Sequence, residues 1–148
     1  MIHGFDYFNP RWKLIISSRI KRAEVVYSRN EINKVIFGSC TLGDREQNEK
    51  IYRLLNSFFP IIGLAIKTPL AKTTVEEYRE AFNYIEDKDS LFIVSDICHI
   101  GRCTVIAWKM ARNQNKIIEI SAYPSDVPYL TSINDPLSRS PDNYLFNA

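Results

Sequence analysis

The chain has no apolar stretch of the length a membrane span needs, and its opening residues, MIHGFDYFNP, lack the basic-then-apolar order of a secretory signal. It also lacks a charge bias. Nineteen basic and seventeen acidic residues leave a net charge of +2, too weak a field to argue for nucleic acid or an anionic membrane as partner. Cysteine is scarce and odd in number, at three, which excludes a simple disulfide framework and suggests reduced thiols in a cytoplasmic setting. There is no second Cys/His pair at zinc-like spacing to complement Cys98, His99 and Cys103, and neighbouring residues point apart on either a strand or a helix. A metal site is therefore not expected. Glycine is sparse too. Gly38-Ser39-Cys40-Thr41-Leu42-Gly43 follows an apolar run, yet fits neither the dinucleotide fingerprint nor the Walker pattern. It remains a loop able to contact phosphate, with Gly38 and Ser39 as its candidates.

What is present is a regular alternation. Apolar residues make up 45% of 148 residues, enough for one domain with a proper core. Asn9-Pro10 is a helix start, followed by Trp12, Ile15, Ile16, Ile20, Ala23, Val26 and Tyr27 at helical spacing. Lys34 to Gly38, Ile61 to Ile66, Leu91 to Val94 and Lys116 to Ile120 are short apolar runs that read as buried strands. Between them lie helices opened by capping boxes at Asp44–Gln47 and Thr73–Glu76, and a helix with Cys103, Ile106, Ala107 and Met110 on its inner face. Strands this short, each separated by a helix, imply a mainly parallel sheet in a three-layer α/β/α sandwich. After residue 121 four prolines and many polar residues break the periodicity. The expected organisation is one domain over 1–121 and an irregular tail over 122–148, docked by its aromatic residues.

In such a sheet, ligands bind beyond the carboxyl ends of the strands, beside helix N-termini. Topology puts Gly38–Asp44, Lys67–Thr74, Ser95–Arg102 and Ser121–Asp126 at that edge. His99 and Arg102, three apart at a helix start, share a face there: one suits proton transfer, the other an anion. Both also suit an ordinary solvated first turn capped by Asp96. Thr73/Glu76 and Thr74/Glu77 are overlapping capping boxes of which only one can cap. Arg19 falls within an apolar helical stripe, where a charge needs either an anion or a neighbouring carboxylate. Cys103 lies on an apolar helix face, where a thiol behaves as a small hydrophobe.

The order of these pieces resembles the YdcF/SanA/ElyC-like domain family of unknown function, over about residues 11–125. Ala71–Glu77 (AKTTVEE) and Ile93–Cys103 (IVSDICHIGRC) are similar to two of its motifs, with Ser17–Tyr27 and VIFGS similar to two others. The resemblance implies a Rossmann-like sheet and a polar pocket lined by Arg19, Gly38, Thr74, Glu76, His99 and Arg102, with Ser39 and Ser95 at the same edge. It also implies S-adenosylmethionine as a candidate cofactor. The family usually opens with a further strand, for which only Ile2 to Gly4 could supply a stub. Three functions follow as expectations. The first is an enzyme acting on a phosphorylated or nucleotide-like ligand, with His99 and Glu76 catalytic and Arg19, Gly38, Ser39, Thr74, Ser95 and Arg102 binding. The second is a non-catalytic nucleotide or S-adenosylmethionine module. The third is a structural subunit whose exposed sheet edge pairs with a second copy, giving a homo-oligomer.

Overall fold

The computed structural model describes residues 1–3, 10–38, 46, 49–50, 53, 65–67, 71 and 73–126. These form a mixed α/β structure. The elements run β1 (Ile2–His3), α1 (Pro10–Arg29), β2 (Val35–Gly38), β3 (Ala65–Lys67), α2 (Thr74–Ala81), β4 (Ser90–Asp96), α3 (Ile100–Asn113) and β5 (Glu119–Ser125). Glu46, Glu49, Lys50 and Arg53 are also helical, with a Glu46–Lys50 pair one turn apart at 3.1 Å. Ile51, Leu54, Leu55 and Phe58, expected to form the apolar side of this helix, lie outside the described residues, as do 61–64 of the second expected strand.

All the strand pairs are parallel, and the sheet order is β3-β2-β1-β4-β5. β1 is the stub that Ile2 to Gly4 could have supplied. Its two residues sit at the centre of the sheet, Ile2 opposite Phe37 on one side and Val94 on the other. The Met1 amine donates to the Phe92 carbonyl, and the Met1 carbonyl accepts from the Val94 amide, so the stub is tied into the ladder.

The core has two parts. Ile16, Ile20, Ala23 and Val26 of α1 bury against Ile2, Val35, Phe37 and Val94. Tyr78, Ala81 and Phe82 from α2 and its end, with Cys103, Ala107 and Ala111 of α3, bury against Ile36, Leu91 and Ile93. Alternate residues of β2 and β4 thus face opposite helices, which is why these strands read as continuous apolar runs. Lys116 fastens the second cluster. Its ammonium donates to the Phe82 and Ile85 carbonyls at 2.8 and 2.5 Å, satisfying groups beyond the end of α2.

One strand is displaced from its expected span. The apolar run predicts a strand over Lys116–Ile120, but β5 begins at Glu119 and continues through Ser125. Asn115 has a positive φ of 52°, and Ile117 is spent on leaving that turn. Ile117 is 76% exposed, with its N–H given to the Asp87 carboxylate at 2.6 Å. The first residues assigned to the tail, 122–125, are therefore strand, and 127–148 lie outside the described residues. No helix among the described residues is long and apolar enough to cross a membrane.

Candidate functional site

The order β3-β2-β1-β4-β5 means that the chain builds outward from β1 to β3, then returns to add β4 on the other side of β1. Such a reversal opens a crevice between the carboxyl ends of the two diverging strands. Val94 is level with Ile2 there, and β4 runs on through Ser95 to Asp96. Asp96 ends β4 and Ser125, its register partner, ends β5. Ser125 is buried, and its hydroxyl has no hydrogen-bond partner among the described residues.

Asp96 organises the turn into α3. One carboxylate oxygen accepts from the Cys98 amide at 3.1 Å, and the Asp96 carbonyl accepts from the His99 amide at 3.0 Å. The other carboxylate oxygen accepts from the guanidinium of Arg19, which is 1% exposed. The apolar stripe of α1 thus delivers its single charge to the end of β4, and the carboxylate alternative for Arg19 is the observed one. Burial pushes the Asp96 carboxyl up. The Arg19 charge and hydrogen bond, nearby His99 and the Cys98 amide outweigh this and hold it below its ordinary value.

His99 occupies the N-cap position of α3 without making a side-chain cap. It is buried, with Nε2 3.5 Å from the Thr74 hydroxyl. The overlapping capping boxes explain that meeting. Thr73 takes the cap, accepting from the Glu76 amide at 3.3 Å, which leaves Thr74 inside the first turn of α2 and facing His99. Ser95 is fully buried on β4, and Arg102 is half-buried in the first turn of α3. Ser39 lies outside the described residues.

Of the two glutamates, the structure buries Glu77, of the capping box not used, rather than Glu76, the expected catalytic residue. Glu76 is half-buried, whereas Glu77 is 1% exposed. A β-carbon on Gly38 would stand 2.8 Å from Glu77 Oε1 and 3.2 Å from Met1 Cε, so with any larger residue at the end of β2 the carboxyl would have to shift. Burial pushes the Glu77 carboxyl up to about 8, against the opposing pull of Arg19. The signal was available in the sequence. Glu77 falls among Thr74, Tyr78 and Ala81, the buried side of α2, just as Arg19 falls in the stripe of α1.

The two described cysteines, Cys98 and Cys103, are packing groups, and Cys40 lies outside the described residues. Cys103 is fully buried, and burial together with the Glu77 charge pushes its thiol up to about 12 against the opposing pull of Arg19 and the Tyr78 and Ser95 hydroxyls. Cys98 is half-buried and also raised, first by burial and then by Asp96. A thiolate nucleophile is disfavoured at both. Among the described residues no group of three or more His, Cys, Asp or Glu is placed to hold a metal ion.

A cleft of about 200 Å³ opens at the other end of the sheet, lined by Met1, Val26, Tyr27, Val35, Leu91 and Phe92 among others. Ile2 and Val94 also line it, and it shares no side chain with the Arg19–Asp96–His99 group. Its lining includes Glu31, Lys34 and Asp89 but none of the ionisable side chains gathered at the carboxyl ends of the strands. No family model, no curated protein and no solved structure matches the chain.

Proposed function

We propose that the chain is a Rossmann-like three-layer α/β/α domain of the YdcF-like kind that binds a small phosphorylated or nucleotide-like molecule in the crevice beyond β1 and β4. One observation carries this reading. The buried polar and charged side chains among the described residues, Arg19, Thr74, Glu77, Ser95, Asp96, His99 and Ser125, all lie on or against the carboxyl ends of β2, β4 and β5. Burying that many polar groups is costly unless they serve one another or a ligand. The support from Arg19 is indirect. Because Asp96 already engages its guanidinium, Arg19 positions the Asp96 turn, and the anion falls to Arg102 and the amides at the start of α3.

In the catalytic form of this reading, His99 transfers a proton as general acid or base, Thr74 orients its ring, and Glu76 at the start of α2 accepts or steers the proton. The non-catalytic form, a nucleotide or S-adenosylmethionine module, is favoured by one specific observation. The turn at Asp96–His99 is already held by internal bonds, as a preformed binding surface would be.

The test is a thermal-shift series with ADP, S-adenosylmethionine and inorganic phosphate, on the wild-type chain and on His99→Ala. A ligand at a hundred times its dissociation constant stabilises by about 2.7 kcal/mol. A rise with at least one ligand, lost in His99→Ala, supports the reading. A folded protein unmoved by all three overturns it.

A further inference from the structure

Ser125 closes β5 at the carboxyl edge of the sheet. It is 4% exposed, and its hydroxyl has no hydrogen-bond partner among the described residues. Its position is held on both sides. The residue is in register with Asp96 at the end of β4, and the carbonyl of the next residue, Asp126, accepts from the Ser18 hydroxyl of α1 at 2.8 Å. A buried hydroxyl left without a bond costs stability, so one fixed at the edge of the crevice points to a partner from outside the chain.

Alternation along the strands sets the side that it faces. Val94 belongs to the cluster under α1, and Phe92 and Tyr123 pack against that cluster with their rings 5.8 Å apart. Two residues further on, Asp96 and Ser125 face the same side. Arg19, arriving from α1, meets Asp96 there. Adjacent strands lie about 4.8 Å apart. The Ser125 hydroxyl and the Asp96 carboxylate are therefore neighbours, yet they make no bond to each other.

The chemistry of this pair restricts what it can receive. A phosphate would meet the like charge of the Asp96 carboxylate and belongs beside Arg102 instead. The two carboxylate oxygens accept from Arg19 and from the Cys98 amide, and each keeps a further lone pair. A neutral group that can both donate and accept suits a carboxylate and a serine hydroxyl together. Two hydroxyls on neighbouring carbons would serve both at once.

We propose that Asp96 and Ser125 form the sugar end of the crevice: the Asp96 carboxylate accepts from one hydroxyl of a ribose and Ser125 bonds the other, with the anionic end of the ligand directed to Arg102 and the start of α3. This rests on the nucleotide-like reading above. It adds the part of the ligand that is recognised, a vicinal diol, which nucleotides and S-adenosylmethionine share.

Ser125→Ala tests it in two ways. Without ligand, urea unfolding should place the midpoint of the variant at or above that of wild type, because an unbonded buried hydroxyl is removed. A lower midpoint means that the hydroxyl serves a bond within the protein, and overturns the proposal. With ligand, calorimetric titration compares ADP with 2′,3′-dideoxy-ADP. Wild type should bind ADP at least about tenfold more tightly than the dideoxy compound. Ser125→Ala should bind ADP about three- to tenfold more weakly than wild type and the dideoxy compound no worse. Equal affinity of the two proteins for ADP, or of wild type for the two nucleotides, overturns the proposal while leaving the crevice as an anion site. Absence of ADP binding overturns it together with the nucleotide-like reading.

Discussion

Replacing Glu77 with glutamine should make the protein more stable, and by an amount that depends on pH. The folded chain holds the Glu77 carboxyl at about 8, whereas the unfolded chain exposes an ordinary one near 4.5. The unfolded state therefore gives up the proton first. The stability contributed by the protonated carboxyl is fully present below about pH 4.5 and is lost steadily as pH rises through 8. Each pH unit across that window is worth about 1.4 kcal/mol, so wild type loses roughly 3 kcal/mol from this group between pH 4.5 and 7. Glutamine matches the shape of the protonated form and does not titrate. Urea unfolding of both proteins at several pH values isolates the effect, because every other titrating group is common to both. The stability difference, Glu77→Gln minus wild type, should grow by about 3 kcal/mol from pH 4.5 to 7 and level off above pH 8. For a chain of this size the gain at pH 7 corresponds to roughly 10 °C in Tm. A pH-independent difference would refute the reasoning, because it would mean that Glu77 titrates alike in both states.

Arg19→Met leaves Asp96 buried without its cation and should cost about 3–5 kcal/mol, whereas the double variant with Asp96→Leu should recover most of that in the same unfolding assay. Gly38→Ala forces a methyl group against the Glu77 carboxyl and should cost roughly 1–3 kcal/mol, a penalty that shrinks when Glu77 is alanine. Alkylation at pH 7 followed by peptide mapping should leave Cys103 unlabelled until the protein unfolds, given its burial and a thiol held near 12. Lys116→Met removes the donor to the Phe82 and Ile85 carbonyls and should destabilise by about 1–3 kcal/mol.

Where a segment satisfied its own needs locally, the sequence was informative. Asn9-Pro10 marked the start of α1, and the runs VIFG and LFIV marked two central strands, because each signal depends on neighbours in the chain. The boundaries of β5 were not legible in this way. Lys116–Ile118 is as apolar as a strand, but a positive-φ turn at Asn115 and the long reach of Lys116 to the end of α2 decide where pairing begins. The site was half legible. A charge in an apolar stripe flagged Arg19, and the same rule applied to α2 would have chosen Glu77 over Glu76. The pairing of Arg19 with Asp96 depends on a contact across 77 residues, which spacing along the chain does not encode. The position of β1 between β2 and β4, and with it the location of the crevice, is likewise a property of the sheet order.

The polar group at the carboxyl ends of the strands and the cleft at the opposite end of the sheet make the central claim open to direct contradiction. Amide chemical shifts of the labelled protein, followed as ADP is added, report which end the ligand occupies. The account predicts perturbations concentrated at Thr74–Glu77, Asp96–Arg102 and Ser125. Perturbations centred instead on Tyr27, Val35 and Phe92, around that cleft, would contradict it.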